Sequence, residues 1–68
     1  MHYLEYLIRK QYPSLNNFVD VTGLNRRTLW SYLNNSGFPS TDNFMMLANR
    51  LNVSAETLYK NWFREVDK

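Results

Sequence analysis

The side chains best equipped to recognise another molecule lie between positions 25 and 34. Arg26 and Arg27 bring two guanidinium groups, Trp30 a large aromatic body, and Asn25, Ser31 and Asn34 short polar groups. At about 100° per residue, a helix through this stretch places Thr28, Leu29, Tyr32 and Leu33 on one face. The opposite face then carries Arg27, Trp30, Ser31 and Asn34, with Arg26 on the flank. An outward tryptophan next to arginine is what protein interfaces favour. Catalysis has no such cluster. Cysteine is absent, which excludes disulfides, thiolate zinc sites, iron–sulfur clusters and cysteine nucleophiles. His2 is the only histidine; it is expected at a fraying terminus, which argues against a histidine metal site or triad. The acids Glu5, Asp20, Asp42, Glu56, Glu65 and Asp67 are scattered over different segments, and no pair suggests general acid–base work. Nothing resembles a nucleophile–base–orienter set, and no glycine-rich phosphate loop is present. The expectation is a recognition domain with no enzymatic activity, no cofactor and no metal.

Sixty-eight residues allow one small domain, burying only about 60% of its unfolded surface. Apolar residues make up 44% and aromatics 16%, too rich for a disordered chain. The longest apolar run, Phe44 to Ala48, is five residues, far short of a transmembrane span. No basic segment followed by an apolar block opens the chain, so no signal peptide is expected. The lack of cysteine fits a reducing cytoplasm. Eight basic against six acidic residues leave a net charge of +2, which suits nucleic acid without demanding it.

Five segments with helical spacing must position the candidate residues. Punctuation falls at Pro13, Gly23, Asn35 to Pro39 and Asn52 to Ser54. The spacing predicts an all-α domain with helices over about residues 2–11, 15–22, 26–34, 41–51 and 55–66. Leu4, Leu7 and Ile8 give the first its apolar face. Pro13 disfavours helix at Tyr12, and Ser14 can cap the second helix. That helix carries Leu15, Phe18 and Val19, and Gly23 stands where a left-handed terminating residue is wanted. Asn25 is a good cap for the third. Pro39 with Ser40 or Thr41 starts the fourth, whose stripe is Phe44, Leu47, Ala48 and Leu51, and Asn52 can end it. Ser54 caps the fifth, with Leu58, Tyr59, Trp62, Phe63 and Val66 on its face. No segment alternates with a period of two, so no sheet is expected.

Two short helices around Gly23-Leu24-Asn25, with Val19 and Leu29 facing each other, make a helix-turn-helix arrangement. Further on come Pro39-Ser40, then Phe44-Met45-Met46-Leu47-Ala48-Asn49-Arg50-Leu51-Asn52-Val53-Ser54, then Leu58. From about Leu15 to Leu58 the chain resembles the Cro/CI-type, lambda-repressor-like helix-turn-helix family, whose members carry a matching "P-S … L-A-x-x-L-x-V-S … L" stretch. The resemblance implies a compact five-helix domain from a phage or mobile-element regulator, working in the cytoplasm of a bacterial host. It implies that the third helix enters the major groove of operator DNA. By position this points to Asn25, Arg26, Arg27 and Ser31, with Trp30 and Asn34 nearby. Arginine can offer two parallel donors to O6 and N7 of guanine, and a helix N-terminus favours phosphate.

A second reading stands beside it. Many relatives open the second helix with glutamine, where this chain has Leu15. Many also carry Lys or Arg in the loop after the third helix, where this chain has Asn35-Ser36-Gly37-Phe38. In size and in this thinned basic surface the chain also resembles small phage anti-repressors, which bind a repressor protein instead of DNA. Trp62 and Phe63 have two readings too. They fold back onto Tyr3, Tyr6 and Leu7, or together with Val66 they form a self-complementary surface for a homodimer.

Overall fold

Every helix begins at a residue whose side chain accepts a backbone N–H, which satisfies one of the donors that a helix start leaves open. Ser14 Oγ accepts from Asn17 at 3.0 Å, Asn25 Oδ1 from Arg27 at 2.8 Å, Ser40 Oγ from Asn43 at 3.3 Å and Ser54 Oγ from Thr57 at 3.0 Å. His2 does the same through Nδ1, which accepts from Leu4 at 3.0 Å. The computed structural model describes residues 1–67, and among them five α-helices follow one another: α1 (Tyr3–Gln11), α2 (Leu15–Thr22), α3 (Arg26–Leu33), α4 (Thr41–Arg50) and α5 (Ala55–Asn61). No strand forms among the described residues; the one β-type contact is an isolated bridge between His2 and Glu65. No helix of the described residues is long and apolar enough to cross a membrane.

The helix ends are set by residues that tolerate a left-handed backbone. Gly23 closes α2 at φ 76°, and Asn35 and Asn52 adopt φ 58° and 59° just beyond α3 and α4. Such values are easiest for glycine and, among the rest, for asparagine. The apolar stripes then meet in one core. Leu4, Leu7 and Ile8 of α1 join Phe18 and Val19 of α2 and Leu29 and Tyr32 of α3, and α4 adds Phe44, Leu47 and Ala48. Leu51, Leu58 and Trp62 complete it. α1 packs on α2, α2 on α3, and α4 on α5. Gln11 ties the end of α1 to the end of α4, with Nε2 donating to the Leu51 carbonyl at 2.7 Å.

Two expectations are corrected here. The fifth helix does not run to residue 66; it ends at Asn61. Beyond it Arg64 N–H bonds back to the Asn61 carbonyl, and Val66 N–H donates to the Met1 carbonyl at 2.8 Å. The Met1 amino group in turn donates to the Val66 carbonyl at 2.8 Å. The backbone thus exchanges further helical bonds for pairing with the opening residues. His2 does not fray: it is 4% exposed. Its ring stands edge-on to Trp62 with centroids 5.0 Å apart, and its Nε2 lies 3.1 Å from Asn35 Oδ1. Burial beside Trp62 and two hydrogen bonds hold this residue in place.

Candidate functional site

The turn between α2 and α3 is built from local bonds. Gly23 N–H donates to the Val19 carbonyl at 2.9 Å. Thr22 Oγ1 donates to the Phe18 carbonyl at 2.8 Å and accepts from Leu24 N–H at 3.4 Å. Leu24 packs half-buried against the core. Asn25 then caps α3. From this start Leu29 and Tyr32 point inward, 1% and 5% exposed. With these anchors buried, the other face of the rod must look outward.

Asn25, Arg26, Arg27, Trp30 and Asn34 are all exposed, and Ser31 is half-buried. Asn25, Arg26, Arg27 and Trp30 line one shallow depression. Trp30 is 46% exposed. Neither arginine has an ion-pair partner among the described residues, whereas Arg9 is paired with Glu5 and Lys60 with Glu56. The first turn of α3 carries no acid. Two unpaired guanidinium groups therefore sit at the positive end of the helix dipole, a local field that attracts anionic or acceptor-rich groups.

Ser31 and Asn34 do not join that depression. The Ser31 carbonyl accepts from Ser36 N–H at 3.0 Å and from Gly37 N–H at 3.3 Å. Its Oγ lies 3.4 Å from Ser36 Oγ, and a Cβ on Gly37 would come within 2.6 Å of it. Ser31 is thus committed to closing the loop after α3. Asn34 forms the C-cap.

The expected dimer surface of Trp62, Phe63 and Val66 does not exist as such. Trp62 is fully buried, with ring contacts to His2, Tyr32, Phe38 and Phe44 rather than to Tyr3 and Tyr6. Val66 is half-buried, and both of its backbone polar groups bond to Met1. Phe63 alone is open, 71% exposed. It joins Tyr59, from the same predicted face of the fifth helix, and Phe38, which sequence reasoning did not group with them. Phe38 is 47% exposed and stacks on Phe63 with centroids 6.4 Å apart, and Tyr59, 65% exposed, stands edge-on to Phe38 at 6.3 Å. A single aromatic in a loop before proline was the available signal for Phe38.

One titratable group is clearly perturbed. Burial pushes the His2 imidazole below its usual value, against the hydrogen bond to Asn35 and the charges of Glu65 and Glu5, which raise it; the nearby amino terminus lowers it further. Because Nδ1 accepts the Leu4 N–H, the neutral ring carries its proton on Nε2 and donates it to Asn35 Oδ1. Among the described residues no three His, Cys, Asp or Glu side chains come together as a metal site. No protein-family model matches the chain, and neither a curated protein nor a solved structure is significantly similar to it.

Proposed function

We propose that the protein is a sequence-specific DNA-binding transcriptional regulator with a lambda-repressor-like helix-turn-helix fold, whose α3 enters the major groove of an operator. One observation carries this reading: Arg26 and Arg27 stand side by side, exposed and unpaired, on the first turn of a helix held from beneath by Leu29 and Tyr32. A rigid rod with outward guanidinium groups is what direct readout of guanine requires. Asn25 and the exposed start of α3 suit a flanking phosphate. Occupancy of the operator would then block polymerase or recruit it. The phosphate contribution is small, since these two arginines are the cations on the face. Affinity should still drop as salt rises, log K falling by about 0.9 per tenfold increase in salt for each phosphate contacted. In gel shifts on duplexes from the gene's own neighbourhood, Arg26→Ala and Arg27→Ala should weaken the complex. Equal binding by parent and both variants would refute the reading.

The exposure of Trp30 together with Val21, 46% and 45%, favours a second reading. Here the same face covers the DNA-reading helix of a repressor protein, as an anti-repressor would. Co-purification with such a repressor should be lost on Trp30→Ala and should respond little to salt. For either partner, the exposed patch of Phe38, Tyr59 and Phe63 is the surface proposed for a homodimer.

A further inference from the structure

We infer that Trp30 reads the C5-methyl group of a pyrimidine, so that the preferred duplex carries a guanine and a methyl-bearing pyrimidine one or two base steps apart. This rests on the DNA-binding reading and specifies what the same face selects. Beyond the arginines, α3 has few side chains left to offer. Ser31 is bound into the loop by Ser36 and lies against Gly37. Asn34 is a further turn away, at the C-terminus of the helix, where its backbone N–H makes the cap. Trp30 is the next open side chain, and it shares its depression with Arg26 and Arg27. It follows them by three and four positions. At about 1.5 Å of rise per residue this is roughly 5–6 Å along the rod. Base pairs are spaced by about 3.4 Å, so the separation corresponds to one or two steps.

The chemistry of the contact follows from the side chain. An indole has one donor and a broad apolar surface. Against phosphate or a polar base edge that surface would strip water from acceptors and return a single bond. The apolar group on a base edge in the major groove is the C5-methyl of thymine. The methyl of 5-methylcytosine has the same chemistry and position. Arg26 and Arg27 supply the donors for the neighbouring guanine, so the aromatic body and the guanidinium groups divide the work.

The test begins with selection of the full chain on random duplexes, which should enrich a guanine and a thymine within two steps. On the selected duplex, replacing that thymine by deoxyuridine removes one methyl group and should weaken binding about fourfold, the equivalent of one buried carbon group. Trp30→Ala, at an exposed position that leaves the core intact, should bind the two duplexes equally. Replacing the thymine by cytosine and by 5-methylcytosine separates the two methyl sources. Preference for the methylated form over the unmethylated one shows that the methyl group is read on either base. Tight binding that is indifferent to deoxyuridine, or a thymine preference that survives Trp30→Ala, overturns the inference and leaves the DNA-binding reading standing. Failure to enrich any duplex overturns both.

Discussion

The two tryptophans are placed by opposite kinds of force. Trp62 sits at the end of α5 with no exposed surface and four aromatic or imidazole neighbours, and its Nε1 finds no hydrogen-bond partner among the described residues. Trp30 sits mid-helix on α3, nearly half exposed, beside two arginines. Burying a tryptophan with its N–H unpaired costs about 1–3 kcal/mol, and the packing of the ring has to exceed that cost. Leaving one nearly half exposed forgoes much of the burial term. Trp62 therefore belongs to stability. Trp30, which the core does not need, is free to serve recognition.

Substitution should break this contrast most sharply at Trp62. Trp62→Ala should cost about 3–5 kcal/mol, read from urea unfolding, whereas Trp30→Ala should stay within about 0.5 kcal/mol. Comparable losses at both positions would erase the distinction. Next comes binding: Arg26→Ala or Arg27→Ala should each cost about 1–3 kcal/mol if the arginine pairs with guanine, measured by titration of the selected duplex, with no matching loss of stability.

Acid should loosen the Trp62 side and spare the α3 face. The folded-state pKa of His2 lies below the ordinary 6.5. Its neutral form therefore adds stability that is complete above that value and is lost as pH falls through the lowered one. Protonated Nδ1 can no longer accept the Leu4 N–H. His2→Asn keeps a capping oxygen, so thermal melts across this range should flatten in the variant. An unchanged slope would deny His2 the role. The smallest effect belongs to Phe63. Phe63→Ser should alter stability by less than about 0.5 kcal/mol while lowering any self-association seen by sedimentation.

The same division explains what could be read in advance. Ser14, Gly23, Asn25, Ser40, Asn52 and Ser54 act through their own backbone neighbourhoods, and their types announce caps and stops. The outward position of Trp30 follows from the period of Leu29 and Tyr32. The features that escaped depend on partners far along the chain. Histidine is not a residue type that marks a helix start; His2 caps α1 because Trp62 and Asn35 enclose its ring. No glycine or proline stops α5, whose apolar spacing continues past Asn61. The competitor is backbone pairing with Met1, invisible to any local pattern. Ser31 looked free by its spacing, but the loop that returns over it takes up its oxygen atoms.

Reciprocal bonding between Met1 and Val66 closes a loop over residues 1–66. Closing so long a loop carries the largest chain-entropy cost of any contact here, since that cost rises with the number of residues enclosed. The seam should accordingly zip last during folding and unzip first in native fluctuations. Amide deuteration would begin at Val66, and iodide quenching of the Trp62 indole would follow this opening, well before the helices themselves let go.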